Sequence, residues 1–221
     1  MTGKEILQQI PPTDPSDPFP SSDFDDWAES YDQDVLVGGF PFDGYAQVLE
    51  TTLRLADCMP GQSILDLGIG TGNLAERFAH RGCLISGLDY SVRMLELARR
   101  KLPQSVLLQA DLRQDLPREL GGPYDRIVSA YVFHHFELPF KIALLVRLMQ
   151  LLRSNGRMVI ADLAFSDQPT MASVRKKVGP AWEDEYYWIA DETLPELARV
   201  GLVTSFVSVS SCAGVFVIPK P

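Results

Sequence analysis

Ser63-Ile64-Leu65-Asp66-Leu67-Gly68-Ile69-Gly70-Thr71-Gly72-Asn73 is the stretch on which the reading of the whole chain turns. Its first half is a short apolar run, preceded by Pro60-Gly61 and stopped by glycine, as expected of a strand buried on both faces. Its second half packs three glycines into five residues and passes into Leu74-Ala75-Glu76-Arg77-Phe78-Ala79, which reads as a helix. A strand, a glycine-rich bend and a helix start make a concave backbone surface. Glycine lets a ligand approach the main chain without meeting a Cβ. The unpaired N–H groups of the helix N-terminus add donors and partial positive charge.

Spacing narrows the choice of ligand. A dinucleotide fingerprint needs G-x-G-x-x-G, and a phosphate loop needs Gly-Lys-Ser/Thr. This chain has G-x-G-x-G followed by Asn73, with Asp66 two residues ahead of the first glycine. The simplest alternative is a tight strand-to-helix turn with no ligand. The string Asp66-x-Gly68-x-Gly70-Thr71-Gly72-Asn73 resembles the first motif of class I S-adenosylmethionine-dependent methyltransferases.

Downstream the pattern repeats. Cys83 to Leu88 is a second strand ending at Asp89, and Ser91 is placed to cap a helix over Val92 to Leu102 that Pro103 closes. Val106 to Ala110 and Tyr124 to Ser129 are the third and fourth strands, Pro139 to Leu152 a helix, and Arg157 to Ala161 a fifth strand after the Asn155-Gly156 turn. Strands alternating with helices imply βαβ units and a parallel sheet covered on both faces. Ser166 to Ala190 lacks a clean period but holds Trp182, Tyr186, Tyr187 and Trp188 together with Arg175-Lys176-Lys177; it reads as a lid or pocket wall, and the basic triplet as a solvated face or a contact for an acidic group. Thr193-Leu194-Pro195-Glu196 has capping-box spacing and opens a last helix. Leu202 to Val209 and Gly214 to Ile218 are β-branched runs spaced for a hairpin. The expected fold is α/β, doubly wound and Rossmann-like: a mostly parallel seven-stranded sheet with a C-terminal antiparallel strand and helices on both faces, as the resemblance also implies.

Upstream, residues 1–22 read as a flexible arm, because Pro11 to Ser22 is mostly Pro, Asp, Ser and Thr and cannot hold a helix. Residues 23–221 read as a single domain, with a helical cap over 23–59 and the lid-like segment over 166–190. In the cap, Phe24, Trp27 and Tyr31 fall on one helical face. Phe24 and Trp27 are expected to pack on the core. The Trp-Ala-x-x-Tyr-Asp string resembles the segment that folds over the cofactor in many small methyltransferases, which gives Tyr31 a second role, since a sulfonium is drawn to an aromatic face.

Composition sets limits. The chain has 221 residues, 46% hydrophobic and 22% charged, with net charge −9. That balance argues against a nucleic-acid or anionic membrane partner. Cys58, Cys83 and Cys212 are odd in number and lack CxxC spacing, so they read as core thiols in a reducing, cytoplasmic setting. No apolar run approaches a membrane span, and the start lacks the layout of a signal peptide.

Ligands of open α/β sheets sit beyond the strand carboxyl ends. Asp89, there, can accept both hydroxyls of a ribose; its alternative is a neighbour of the Ser91 cap. Asp111 can accept from an exocyclic amine while the Leu112 N–H serves a ring nitrogen; its alternative is a turn aspartate. The resemblance adds Tyr90 and Met94 at an adenine pocket, Asp66 near a methionine ammonium, and Ile69, Gly72, Asn73 and Ser129 to the cofactor site. After the fourth strand, His134 and His135 are candidates for a general base, unranked, because histidine titrates near neutrality. Being adjacent, they are expected to point apart and to serve no common ligand, and no metal site is read. The expected protein is a methyltransferase using S-adenosylmethionine on a small-molecule acceptor, as a monomer or homodimer, and looks most like small bacterial methyltransferases with a Tyr-x-Phe-His-His segment. An NAD-dependent oxidoreductase and a non-catalytic S-adenosylmethionine or S-adenosylhomocysteine binder stand as alternatives.

Overall fold

The run from Ser63 forms the middle of a sheet in the structure, a computed structural model that describes residues 19–220. The strands are β1 (Ser63–Leu67), β2 (Leu84–Asp89), β3 (Val106–Gln109), β4 (Tyr124–Ala130), β5 (Leu152–Phe165), β6 (Trp188–Ile189), β7 (Ser205–Ser208) and β8 (Ala213–Pro219). Seven of them lie in the order β3-β2-β1-β4-β5-β8-β7, and the two-residue β6 pairs with β5 off this path. All pairings are parallel except those of β8, which runs antiparallel to β5 and β7. The seven-stranded, Rossmann-like expectation therefore holds along the main path, with β6 added.

Helices α1 (Ser21–Val37), α2 (Tyr45–Ala56), α3 (Asn73–His80), α4 (Val92–Lys101), α5 (Leu138–Met149), α6 (Gln168–Val178) and α7 (Ala190–Arg199) complete the chain. Period-2 alternation divides β1 between two cores. Ile64 packs with Val48, Leu49 and Phe78 of α2 and α3. Leu65 and Leu67 pack with Leu144, Leu145 and Leu148 of α5. Each such side chain, taken fully out of water, stabilises by about 1.5–3 kcal/mol. Arg126, buried in β4, donates to the carbonyls of Ala56 and Asp57, so a cation closes the C-terminal end of α2.

Ser91 caps α4 as expected, its hydroxyl accepting from the Met94 N–H at 3.0 Å. Elsewhere the structure differs from the sequence expectation. The arm falls outside the described residues up to 18, and Ser21 and Ser22 already belong to α1: Pro20 stands just before the helix, where no N–H is required. Helix α5 ends at Met149 because Leu152 begins β5. That strand takes in the Asn155-Gly156 turn as an irregularity, shifting register so that Tyr124 pairs with Leu152 but Arg126 with Arg157. Segment 166–190 hides α6, capped by Asp167, which accepts from the Thr170 N–H at 2.7 Å; only Val174 is buried, so no apolar stripe announced the helix. The Thr193 capping box does not form, since α7 starts at Ala190 and Thr193 lies buried within it.

Candidate active site

The strand order reverses between β1 and β4, which opens a crevice beyond their carboxyl ends. A cleft of about 390 Å³ lies there, within the usual range of small-molecule sites. Its floor at one end is the glycine loop. Gly70 has φ +54°, and a Cβ built on it would meet nothing within 4 Å, so its bare face is presented to the cleft. Gly68 is glycine for another reason: its Cβ would stand 2.3 Å from a methyl of Val132. The Ile69 side chain turns away into the core beside Gly87.

Two carboxylates serve this end. Asp66 is buried, and its Oδ2 has no hydrogen-bond partner. It borders a small annexe of about 30 Å³ shared with Tyr31, Tyr45, Gly68, Gly70 and Asn73. Burial, then the charge of Asp89, holds its carboxyl well above the ordinary range. Asp89 accepts from the Gly70 N–H at 2.7 Å through Oδ2 and from the Ser91 N–H at 2.8 Å through Oδ1. Burial pushes it up to about 6, although those N–H bonds pull the other way. Tyr90, Met94, Asp111 and Leu112 line the cleft beside it. Asp111, however, already takes the Arg113 Nε at 3.0 and 3.1 Å.

Three expectations shift. Ser129 does not line the cleft: its buried hydroxyl donates to the Leu67 carbonyl at 2.7 Å, and Ala130 takes its place in the wall. The Asn73 amide is engaged with Asp32 (2.9 Å), Tyr45 (3.2 Å) and Lys101 (2.7 Å), so it fastens α1 to the loop. Phe24 and Trp27 form the cleft roof with Tyr31 and belong to neither buried core.

The far end is built after β4. Tyr131 is held at φ +59°, an outlier for a bulky residue, and the chain then enters a 3₁₀ turn, Phe133–His135. The tight turn brings the two histidines together, with ring centroids 4.0 Å apart. Expectation had them pointing apart; both line the cleft and both approach Glu185, His134 Nε2 and His135 Nδ1 each standing 3.8 Å from a carboxylate oxygen. The buried Asp162 carboxylate meets His134 Nδ1 at 2.5 Å and accepts from Trp188 Nε1 at 2.8 Å and the Leu163 N–H at 2.9 Å. Burial alone would lower the pKa of His134; Asp162 and Glu185 outweigh it and raise it. His135 is pushed down to about 2 by burial and by the charges of His134, Lys141 and Arg113, which leaves it without strength as a base. Burial raises Glu185. Phe19 and Phe24 flank the His135 ring at 4.4 and 5.4 Å.

Asp162 and Glu185 were missed in the sequence. Asp162 had a signal, a lone carboxylate in an apolar strand; Glu185 had none. The basic triplet lies on α6 outside the cleft lining, with Arg175 paired to Asp184 at 3.2 Å.

The doubly wound α/β sheet thus carries one cleft with acidic strand ends on one side and an aromatic, histidine-bearing compartment on the other. Comparison makes that specific. A family model described as a methyltransferase domain matches residues 64–156. An uncharacterised methyltransferase of Geobacillus thermodenitrificans is 36% identical over 199 residues, covering 83% of this chain and 88% of the relative. The chain belongs to this methyltransferase family, and the oxidoreductase alternative falls. Magnesium protoporphyrin IX methyltransferase from Synechocystis, solved with bound S-adenosylhomocysteine, shares the fold at TM-score 0.65 and 21% identity over 90% of this chain and 99% of that one. A TehB-like methyltransferase from Corynebacterium glutamicum does so at 0.64 and 19%, over 90% and 99%. Among the described residues no helix is long and apolar enough to cross a membrane.

Proposed function

We propose that the protein methylates a small-molecule acceptor, using S-adenosylmethionine as donor. One observation supports the reading best: a bare glycine face, an unpartnered buried carboxylate oxygen and a second acid fixed by backbone N–H groups converge on one cleft. Those residues fit the donor. Asp89 holds the ribose hydroxyls and Asp66 the ammonium, whose arrival gives the orphaned oxygen a partner. Tyr31 stands against the sulfonium. Tyr90, Met94, Asp111 and Leu112 form the adenine end, and the loop backbone from Gly68 to Asn73 lies under the methionine. When bound, the donor supplies a methyl group already activated on sulfur.

The chain's own part is alignment and exclusion of water. Helix α1 and the segment over 181–185 close over the cleft as cap and lid, the Phe40 ring stacking on Trp182 at 4.9 Å. The acceptor lies against His134 and His135. Of the two, His134 is oriented by a carboxylate and is able to hold a proton. The net charge of −9 suits a cytoplasmic enzyme of small molecules, not of nucleic acid or membranes, working as a monomer or homodimer. Calorimetry with S-adenosylhomocysteine tests the donor site: Asp89→Ala is expected to weaken binding by about tenfold or more, roughly 1.4 kcal/mol. Equal affinity in the variant removes Asp89 from the ribose and the reading with it.

A further inference from the structure

We propose that His134, His135 and Glu185 bind one divalent transition-metal ion, Zn²⁺ or a cation of similar size, at the acceptor end of the cleft. The inference rests on the acceptor reading above and deepens it. One donor atom from each of the three residues lies within 4.8 Å of the others. His134 Nε2 and His135 Nδ1 are each 3.8 Å from an oxygen of Glu185. Those separations are too long for hydrogen bonds. They approach the spacing of donors around a small cation, since two nitrogens at about 2.0–2.1 Å in a tetrahedral site lie about 3.4 Å apart. Two imidazoles and a carboxylate are a donor set that transition metals favour over Mg²⁺ or Ca²⁺.

The surroundings are those of a built site. Asp162 stands 2.5 Å from His134 Nδ1, which fixes the ring and leaves Nε2 toward Glu185; metal-bound histidines are held by a carboxylate in this way. His135 Nδ1 is buried without a hydrogen-bond partner, an orphan that an ion would satisfy. The two ligand segments are tied by main chain, the Tyr186 N–H donating to the His134 carbonyl at 3.0 Å. The Lys141 ammonium donates to the Tyr186 carbonyl from the other side, so the segment bearing Glu185 is fixed at its neighbour.

Three protein ligands leave a fourth position open to the cleft. It suits an acceptor with a thiol or hydroxyl. On coordination the acceptor's X–H bond breaks and the proton leaves to buffer. The lone pair of X then forms the bond to the methyl carbon while the S–CH₃ bond breaks toward sulfur, giving the methylated acceptor and S-adenosylhomocysteine. His134 is then a ligand and not the base.

Calorimetry of the full chain with ZnCl₂, beside S-adenosylhomocysteine titrations of the same samples, tests the site. The expected result is a single strong Zn²⁺ equivalent, weakened about tenfold or more in Glu185→Gln and in His135→Gln, and by about 10–100-fold in Asp162→Asn. S-adenosylhomocysteine affinity is expected to stay unchanged in all three, which also shows that they fold. No strong equivalent, or one that survives both ligand variants, overturns the metal site and leaves His134 Nε2 as the proton acceptor. Loss of S-adenosylhomocysteine binding in the unaltered chain instead sinks the donor assignment on which the inference depends.

Discussion

The proposed donor end and the proposed acceptor end of the cleft are made by opposite means. At the donor end the acids come from strand termini or the loops that follow them, and they are held at the cost of stability: burial raises both Asp66 and Asp89 above their ordinary range. At the acceptor end the groups come from three separate places, β5, the turn after β4 and the segment before β6, and they complete one another. Asp162 alone accepts from a histidine, a tryptophan and a backbone amide. The first region keeps unmet hydrogen-bonding capacity for a ligand; the second uses most of it to hold the fold.

The largest effect that can break this comparison is Asp162→Ala. It strands two or more buried donors, each costing about 1–3 kcal/mol, so a loss of roughly 3 kcal/mol is expected in urea denaturation, with S-adenosylhomocysteine still bound by the folded protein. A variant as stable as the parent would show that the acceptor network does not support the fold. A smaller effect belongs to the donor end and to pH. On the proposed assignment ribose hydroxyls donate to ionised Asp89, so binding depresses its pKa; affinity is expected to be complete above about 6 and to fall as pH drops through that value. Titration at pH 7.5 and pH 5 is expected to differ by about tenfold, and the difference should vanish in Asp89→Asn; a flat profile in the parent would move the ribose elsewhere. The smallest effect is at Lys101, which joins Asp32 at 2.6 Å and Asn73 at 2.7 Å. Its partner Asp32 is nearly half exposed, so Lys101→Ala is expected to cost less than about 1 kcal/mol in the same denaturation assay.

The convergence of the glycine loop with Asp66, Asp89 and Asp111 was legible in the sequence because it is local. Strand, loop and helix start follow one another from Ser63 to Asn73, Asp89 and Asp111 close the next strands, and short-range spacing carries the geometry. The engagement of the Ser129 hydroxyl and of the Asn73 amide was not legible because their partners in space, the Leu67 carbonyl and Asp32, lie far away along the chain. The acceptor end depends on such long-range meetings throughout: 28 residues separate His134 from Asp162. The convergence of the histidines came from a 3₁₀ turn, and a helix or strand periodicity argument does not anticipate one. Helix α6 was hidden because a surface helix burying little carries no apolar stripe.

One consequence follows from how α1 is held. Only Ala28 and Val35 of that helix are buried, whereas Asp25 accepts from the Ser91 hydroxyl at 2.5 Å, Glu29 meets Arg93 at 2.6 Å and Asp32 meets Lys101. The ceiling above the proposed donor site is thus fastened by half-exposed charge pairs as well as by the ring contacts of Trp27 and Tyr31 with Phe42. Dissolved ions compete with the charged fastenings, so raising the ionic strength of the medium is expected to quicken the escape of the demethylated product.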